Sequence, residues 1–368
     1  MGNEKKKILL LMPELFHGGA EKQFREIISR INKQHFSVFV IISNSYSNDN
    51  EEIELEFIRE NPDVEFFFLN GLHENGNAIL RYISAFKLNC KVVPLLKQIK
   101  PDIVLVYTLL GLKISYLCKL RGLKVIFSER NSGEYPYRFY RNNNIFLKSL
   151  SEFICNSKPA QENIKENGIN AKYIPNGIME SEILPLSETD VYEIVVPARI
   201  ARVKNQEIVI HAASLLKDDN IKIRFIGKTE DSGYLKQLNE LATSLGVEKR
   251  IEFATYTTDI IDIYRNSDLI ILPSISEGFS NVLLESYMYG RLCLASDIPM
   301  NKEVGSDCQR FFAIDDPDNL AIEILRIKNM EKAYVEKEIV NNHNYVTQNF
   351  SINTMVYNYQ KLFNILTN

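Results

Sequence analysis

The alternation of short apolar, β-rich runs with longer amphipathic stretches is the feature that most constrains how this chain folds. Phe24, Ile27 and Ile28 illustrate the amphipathic stretches, because their spacing places them on one face of a helix. Strands that alternate with helices form parallel sheets, since each crossover helix returns the chain to the same end of the sheet. The sequence therefore predicts an α/β protein with strands at 8–12, 38–42, 66–69, 103–107, 125–128, 153–156, 192–197, 221–226, 251–254, 269–272 and 292–296.

The alternation stops once, between residues 174 and 190. Residues 174–177 read Ile-Pro-Asn-Gly, which is the composition of a turn, and the residues after them are polar with no clear period. We interpret this stretch as a linker between two Rossmann-like domains with parallel sheets facing each other across a cleft. The predicted organisation is an N-terminal domain at 1–177, a linker at 178–190, a C-terminal domain at 191–350 and a final helix at 351–368 that crosses back to the N-terminal domain.

Length and composition are those of a cytoplasmic two-domain protein. The 368 residues are enough for two separate hydrophobic cores. No apolar run reaches the roughly 18 residues that a membrane-spanning helix needs, and residues 8–12 are too few for the core of a signal peptide. Five cysteines and five histidines are scattered without metal-ligand spacing, so we expect buried thiols in a reducing compartment and no metal site.

Charge is distributed unevenly along the chain. Residues 1–180 hold 24 basic and 20 acidic side chains, whereas the remainder holds 19 and 27, and within 101–172 the numbers are 11 and 6. This asymmetry suggests that only the first half faces an anionic surface such as a membrane, although scattered solvated lysines explain it equally well. The excess is too small and too dispersed for a nucleic-acid-binding groove.

Two glutamates mark the strongest candidate site. Glu277 follows the predicted strand at 269–272 and precedes a helix that contains Glu285. Ligands bind at strand ends in α/β sheets, and a helix N-terminus favours anions, so this segment predicts a site for a phosphorylated ligand. The residues expected to approach that ligand through their main chain are Gly278, Phe279, Ser280, Asn281 and Val282.

The spacing of the two glutamates argues against a glycosidase pair. Eight helical residues span about 12 Å, whereas hydrolytic carboxylates lie about 5–9.5 Å apart. Glu277 and Glu285 are more consistent with holding different parts of one long ligand. The alternative for each residue alone is ordinary, namely a charge at the helix N-terminus for Glu277 and a solvated position for Glu285.

Two further segments follow the first strand of each predicted domain. Gly18 and Gly19 precede a helix, where they permit a phosphate to approach the backbone. Arg199 and Lys204 follow the strand at 192–197 and are suited to neutralising a diphosphate. The alternatives are a tight loop for the glycines and exposed cations for the basic pair, and the second alternative suits the neighbouring Arg202 better.

An aromatic and basic run covers residues 135–141. It includes Tyr137, Arg138 and Arg141, and such interleaving suits the interface between a membrane and water. Packing of the same residues against their own domain is an equally good interpretation. This run and the charge excess around it make the N-terminal domain the candidate for membrane contact.

Taken together, these segments resemble glycosyltransferase family 4, a group of retaining enzymes with the GT-B fold that use nucleotide sugars. The resemblance covers nearly the whole chain and is most specific from Tyr264 through the glutamate segment to Glu303-Val304. It implies two Rossmann-like domains. Many members carry an N-domain histidine near the sugar, whereas here Tyr107-Thr108 occupies the strand end where that residue is expected.

The resemblance also implies roles for individual residues. Glu277 would contact the hydroxyls of the donor sugar, and Glu285 would bind the ribose of the nucleotide. Arg199 and Lys204 would hold the diphosphate and stabilise the leaving group, while Gly19, with Gly18, would border the donor phosphates. No metal ion or other cofactor is expected, because fixed cations and a helix N-terminus balance the diphosphate charge in such folds.

The function implied is transfer from a nucleotide-diphosphate sugar, with a UDP-sugar as the expected donor, to a saccharide acceptor. Residues 128–131 read Ser-Glu-Arg-Asn, which resembles the corresponding sequence in family members that build bacterial capsule, O-antigen or exopolysaccharide, often on polyprenyl-linked acceptors. This resemblance implies that Arg130 faces the acceptor or the membrane. The protein would then act peripherally at the inner face of the cell membrane. The alternatives are a sugar-nucleotide epimerase of the same architecture and a non-catalytic nucleotide-sugar-binding subunit. A Rossmann dehydrogenase is disfavoured because the glycine fingerprint is missing.

Overall fold

The computed structural model describes residues 4–15, 18–43, 51–69, 78–107, 112–134, 137–186, 189–216, 220–254 and 260–367. The chain divides into two compact units. Unit 1 consists of Met1–Gly177 and Ile352–Asn368, and unit 2 consists of Ile178–Ser351.

Unit 1 is built on a parallel sheet that has seven strands within the described residues, in the order β3-β2-β1-β4-β5-β6-β7. Side chains of the first strand in sequence, an interior strand of this sheet, alternate between its two faces: Ile8 and Leu10 join one apolar cluster, and Leu9 and Leu11 join the other. A continuous apolar run forms this strand because helices cover the sheet on both sides. The strands are β1 (Lys6–Met12), β2 (Phe36–Ile42), β3 (Val64–Phe68), β4 (Ile103–Val106), β5 (Lys124–Glu129), β6 (Glu152–Cys155) and β7 (Lys172–Tyr173).

Helices connect these strands as the sequence pattern predicts. The first of them places Phe24, Ile27 and Ile28 in the core of unit 1. The helices are α1 (Gly19–Arg30), α2 (Glu51–Glu60), α3 (Ala78–Ile99), α4 (Ser115–Leu120), α5 (Tyr137–Leu147) and α6 (Lys158–Lys165).

Unit 2 repeats this architecture with a parallel sheet of six strands in the part of the chain that is described, in the order β10-β9-β8-β11-β12-β13. The strands are β8 (Tyr192–Pro197), β9 (Ile221–Ile226), β10 (Ile251–Ala254), β11 (Leu269–Leu272), β12 (Leu292–Ser296) and β13 (Arg310–Phe312). The helices are α7 (Gln206–Leu215), α8 (Ser232–Ser244), α9 (Ile260–Arg265), α10 (Asn281–Met288), α11 (Pro299–Val304), α12 (Pro317–Lys328) and α13 (Lys332–Asn349).

The prediction of an α/β fold with two parallel sheets is confirmed. The five strands predicted after residue 190 have the bounds observed, and the six predicted before residue 174 are present with ends shifted by one or two residues. β7 and β13 were not predicted, because strands of two and three residues are too short to show a pattern in the sequence.

The residues at 178–186 have little regular structure but are tied into unit 2. Ile178 pairs with Ser351 in an isolated bridge. The fully buried guanidinium of Arg291 donates hydrogen bonds to the carbonyl oxygens of Leu184, at 3.0 Å, and Pro185, at 2.7 Å. Burial lowers the pKa of Arg291 to about 10, with Asp268 opposing that shift. Residues 187 and 188 lie outside the described part of the chain.

The last helix, α14 (Ile352–Thr367), packs in unit 1 rather than in the unit that precedes it in sequence. Tyr359 and Phe363 are fully buried in the cluster that also contains Ile8 and Phe24. The ring of Phe363 meets that of Phe36 edge-on, with centroids 6.0 Å apart. One face of the sheet of unit 1 is therefore covered by a helix that follows unit 2 in sequence. No helix in the described ranges is both long enough and apolar enough to cross a membrane.

We expect Phe363→Ala to destabilise unit 1 strongly. Removing a fully buried phenyl ring loses its transfer free energy and leaves a cavity, which lowers the free energy of unfolding by about 3–5 kcal/mol. The matched control is Tyr357→Ala on the same helix, where the side chain is 61% exposed and the expected change is about 0.5 kcal/mol or less. Urea unfolding of both variants measures the difference, and equal losses would contradict the placement of α14.

Candidate functional site

The candidate site of unit 2 lies where the strand order reverses. β8 and β11 are neighbours, paired through Ile194 with Leu269, and the chain proceeds from them toward opposite edges of the sheet. Loops diverge at such a point and leave room for a ligand beyond the carboxyl ends of the strands. The main-chain N–H of Ile275 donates to the carbonyl oxygen of Val203 at 2.9 Å, so the two loops are joined to each other.

A largely buried ion pair connects these loops. The Nζ atom of Lys204 lies 2.6 Å from Oε1 of Glu277, and the side chains are 14% and 12% exposed. The hydroxyl of Ser274 donates to the same carboxylate oxygen at 2.6 Å. Asn205, in a left-handed conformation at φ 49°, ends the 3-10 turn that carries Lys204. Two residues that were predicted to contact different parts of one ligand therefore contact each other in this structure.

Glu277 presents one carboxylate oxygen to the protein and keeps the other one open. Oε1 accepts both the Lys204 and the Ser274 hydrogen bonds, whereas Oε2 has no hydrogen-bond partner among the residues that the structure describes. Oε2 is also absent from the set of buried polar atoms that lack a partner, so it is accessible to solvent. This arrangement can accept a hydrogen bond from a ligand hydroxyl at Oε2 without losing the contacts at Oε1.

The backbone of Arg199 is held by hydrogen bonding, whereas its long side chain is half exposed. Its carbonyl oxygen accepts a hydrogen bond from the buried Gln206 amide at 2.8 Å. Gly227 lies beside the start of this loop, where a Cβ atom would come within 2.2 Å of the carbonyl oxygen of Ala198, so only glycine fits. The guanidinium, half exposed, pairs with Glu230 at 2.5 Å. The structure thus places Arg199 near the carboxyl end of β8 but does not bring it into contact with Glu277.

Arg202 has a separate environment. Its guanidinium lies 4.9 Å from the ring centroid of Tyr234 and 3.6 Å from Asp231. The side chain is 61% exposed. These contacts agree with the interpretation of Arg202 as a surface cation.

The N-terminus of α10 offers unpaired main-chain donors. The helix begins at Asn281 and contains Glu285, as predicted. Across the described residues, the amides of Gly278, Phe279, Ser280 and Val282 donate no hydrogen bond, while that of Asn281 donates to Phe279 at 2.9 Å. Free N–H groups and the helix dipole both favour an anion at this point. The side chain of Phe279 itself is buried against Phe350, with ring centroids 6.0 Å apart.

Glu285 is buried, so its interpretation as a solvated residue is wrong. Its Oε2 atom accepts a hydrogen bond from the hydroxyl of Tyr264 at 2.9 Å, and both side chains are almost inaccessible. Tyr264 also stacks on Tyr289 with centroids 5.0 Å apart. Burial, followed by the charge of Glu285, raises the pKa of the Tyr264 phenol well above its usual value. The hydroxyl therefore stays protonated and fixes the orientation of the carboxylate.

The buried polar side chains that support this site from within were not predicted. Ser274, Ser296 and Asn301 are fully buried, and Ser280, predicted only for its main chain, has a side chain that is 1% exposed. Each stands at or just beyond a strand end or a helix start, in otherwise apolar surroundings. A small polar residue in such a position is a signal that the sequence does contain, because a buried polar group needs a partner.

Unit 1 has its own polar cluster at the carboxyl ends of β4 and β5. The guanidinium of Arg130 donates to Asn176 at 2.6 Å and to the Tyr107 hydroxyl at 2.9 Å, and it also bonds the Tyr359 hydroxyl. It lies 4.6 Å from the centroid of the Tyr107 ring, a cation–π distance. Burial raises the pKa of Tyr107 well above its usual value, with the charge of Arg130 opposing that shift. Arg130 is thus held by side chains of its own unit, and its contact with an acceptor stays a prediction.

The remaining predicted positions in unit 1 are only partly described. Gly18 is extended and its carbonyl oxygen accepts from the Lys22 amide at 3.1 Å, while Gly19 begins α1. Tyr137, Arg138 and Arg141 lie on α5, but their side chains are outside the described part of the structure, as is Thr108. Over the described ranges, no three His, Cys, Asp or Glu side chains group together as metal ligands do.

Two known protein families match the two parts of the chain, and their boundary lies close to the boundary between unit 1 and unit 2. Residues 17–182 match the family described as Glycosyltransferase Family 4, and residues 182–342 match the family described as Glycosyl transferases group 1. Capsular polysaccharide biosynthesis glycosyltransferase CapH of Staphylococcus aureus is 23% identical over 314 residues, which cover 81% of this chain and 83% of that protein.

Solved structures share the complete two-unit fold. A glycosyltransferase from Rickettsia africae superimposes with a TM-score of 0.81 at 19% identity and covers 98% of both chains. Anabaena HepE, solved in complex with UDP and glucose, gives a TM-score of 0.80 at 18% identity and covers 98% of this chain and all of that one. Likeness at this level of identity establishes the architecture of each unit, which is that of GT-B proteins.

Proposed function

The chain belongs to the glycosyltransferases that join a Glycosyltransferase Family 4 domain to a group 1 domain, and on that premise we propose a specific reaction for it. It transfers a sugar from a nucleotide-diphosphate sugar to a saccharide acceptor with retention of anomeric configuration. The observation that carries the proposal is the convergence of Lys204, Glu277 and the free amides of the α10 N-terminus at one strand reversal.

Unit 2 binds the donor in this proposal. The diphosphate occupies the N-terminus of α10, where the amides of Gly278, Phe279, Ser280 and Val282 are open. Lys204 supplies a positive charge there, and the half-exposed Arg199 side chain supplies a second one by exchanging Glu230 for a phosphate oxygen. We propose UDP as the nucleotide because the structurally similar HepE was solved with UDP and glucose. With two cations and a helix N-terminus available, the diphosphate charge is balanced without a metal ion or other cofactor.

The chemistry follows from where the charges lie. As the bond from the anomeric carbon to the diphosphate breaks, negative charge grows on the leaving oxygen beside Lys204 and Arg199. An acceptor hydroxyl attacks the same face, its oxygen bonds to the anomeric carbon, and its proton passes to a diphosphate oxygen. Glu277 holds a sugar hydroxyl through its open Oε2 atom and stabilises the positive charge that develops on the ring.

The acceptor in this proposal is a saccharide on a polyprenyl carrier, used in the biosynthesis of a bacterial surface glycan. The name of the Staphylococcus aureus relative, which refers to capsular polysaccharide biosynthesis, supports this assignment. Arg130 is the residue that we propose for contact with the acceptor, because it is a cation at the carboxyl end of β5, and ligands of parallel α/β sheets bind at the carboxyl ends of strands. Binding at the inner face of the membrane follows from the nature of such an acceptor.

A panel of UDP-sugars with polyprenyl-diphosphate-linked saccharides as acceptors tests the reaction directly. We expect one donor to release UDP in step with the formation of an elongated acceptor, and NMR of that product to show the donor's anomeric configuration. Inverted configuration would refute the mechanism. Interconversion of the donor sugar without transfer would identify an epimerase, and UDP binding without turnover of any donor would identify a binding subunit.

Glu277→Gln and Glu285→Gln should fail in different ways. Glu277→Gln removes a charge that acts on the developing positive charge of the sugar, so we expect kcat to fall by about 10- to 1000-fold while UDP affinity is kept. Glu285→Gln changes a buried group at the nucleoside end, so UDP binding should weaken by about 1–3 kcal/mol. Calorimetry with UDP beside steady-state kinetics separates the two variants, and loss of UDP binding in Glu277→Gln alone would reverse the assignment.

A surface of unit 1 fits the proposed membrane contact. Leu120 on α4 is 65% exposed and Ile145 on α5 is 51% exposed. These helices are joined by Lys119, whose ammonium group donates to the carbonyl oxygen of Lys148 at 2.9 Å. Exposed apolar side chains beside lysines suit the boundary between anionic headgroups and acyl chains.

We expect the protein to float with vesicles that contain anionic phosphatidylglycerol at low salt and to be released in about 1 M salt. Leu120→Ser with Ile145→Ser should weaken this capture, because two apolar contacts are lost. The matched control is Ile322→Ser in unit 2, a site of similar exposure at 61%. Capture that ignores both salt and lipid charge, or that depends on Ile322 equally, would contradict the proposed surface.

A further inference from the structure

The segment that carries Glu277 is held at one end by the buried side chain of Asn301 and at the other by Ser296, which Asn301 also contacts. This segment, 273–280, connects β11 to α10. At its far end the hydroxyl of Ser280 donates to Oδ1 of Asn301 at 2.5 Å. At its near end the carbonyl oxygen of Ser274 accepts from the hydroxyl of Ser296 at 2.6 Å, and Ser296 in turn accepts from Nδ2 of Asn301.

We propose that Asn301, through Ser296 and Ser274, is a positioning residue that sets the orientation of the Glu277 carboxylate. Ser274, Ser280, Ser296 and Asn301 are called here the Asn301 clamp. The inference rests on the function proposed above for Glu277, and it adds residues from α11 and β12 to the machinery of that site.

The direction of every hydrogen bond in the clamp is determined by its partners. Nδ2 of Asn301 donates to the main-chain carbonyl of Ser296 at 2.8 Å, and a carbonyl can only accept, so Oδ1 must face Ser280. The hydroxyl of Ser296 accepts from Asn301 and therefore donates to the carbonyl of Ser274. The amide of Asn301 cannot rotate without breaking three contacts, which gives the clamp a single arrangement.

Burial makes this arrangement rigid. Ser274, Ser296 and Asn301 have no exposed surface, and Ser280 is 1% exposed. Water cannot replace a lost partner in such a place, so each broken contact leaves an unsatisfied polar group. The clamp consequently holds the two ends of the segment at fixed positions.

The clamp reaches the candidate catalytic carboxylate through one atom. The hydroxyl of Ser274 donates to Oε1 of Glu277 at 2.6 Å, on the same oxygen that Lys204 contacts. Two donors on one oxygen fix the rotation of the carboxylate about its terminal bond. Oε2 is thereby left in one orientation toward a ligand, which is what a preorganised site requires.

The experiment compares Ser274→Ala, Asn301→Ala and the double variant in the full chain. The control is Asn342→Ala, which removes another buried amide of unit 2 that accepts a serine hydroxyl, that of Ser306, at 2.5 Å. Turnover is followed as UDP release from the UDP-sugar that the panel identifies, UDP affinity is measured by calorimetry, and thermal unfolding reports the folded fraction.

We expect Ser274→Ala to lower kcat about 10- to 100-fold, since a small misplacement of a reacting group costs that much, while UDP affinity is unchanged. Asn301→Ala should lower kcat by a similar factor. Because both act through one hydrogen-bond chain, the double variant should lose no more than the stronger single variant. Asn342→Ala should lower the unfolding temperature without lowering kcat per folded molecule.

Several results would overturn the proposal. Unchanged kcat in Ser274→Ala is decisive even if Asn301→Ala does not fold, because Ser274→Ala leaves the Ser296 contact to its carbonyl intact. If the kcat losses of the two single variants multiply in the double variant, or if Asn342→Ala loses as much kcat, the clamp stabilises the fold without positioning Glu277. If Glu277→Gln lowers kcat and Ser274→Ala does not, the clamp alone fails; if Glu277→Gln has normal kcat, the function proposed for Glu277 fails as well.

Discussion

The site of unit 2 depends on the adjacency of β8 and β11 in a parallel sheet. Parallel strands direct their carboxyl ends to one edge, and the chain moves away from these two strands in opposite directions. The loop with Lys204 and the loop with Glu277 therefore begin side by side although 73 residues separate those two side chains. Buried strands that read Ile-Val-Val and Leu-Ile-Ile-Leu hold that adjacency, so the apolar core determines where the charged groups meet.

The Lys204–Glu277 ion pair is a consequence of that adjacency, and forming it costs desolvation free energy. Taking two charges out of water is expensive, and mutual attraction compensates only when further hydrogen bonds satisfy the remaining valences. Ser274 supplies such a bond to the carboxylate, and the clamp behind it prevents the carboxylate from turning away. In the proposed reaction a diphosphate gives Lys204 a second anionic partner without taking Glu277 from its place.

The architecture could be predicted from the sequence because strands and helices are indicated by patterns of residues that are close to each other along the chain. Apolar runs such as 269–272 in β11 and the helical spacing of Phe24, Ile27 and Ile28 each depend only on local period and burial. The partners of Glu277 could not be predicted in this way. Ser274 lies three residues from Glu277, but Asn301 is 24 residues away, and only the packing of α11 against the loop brings it close. The burial of Glu285 depends similarly on Tyr264, which precedes it by 21 residues and belongs to another helix.

The position of α14 has a consequence for how the protein is made. Ribosomes release a chain from its N-terminus, and domains generally fold as they emerge. Unit 1 cannot do so completely, because Tyr359 and Phe363 of its core lie on α14 and are synthesised only after the whole of unit 2. One apolar face of its sheet stays uncovered until the whole of unit 2 has been translated. During that interval the nascent chain presents an apolar surface of the kind that chaperones recognise, and a premature stop before residue 352 would leave it permanently open.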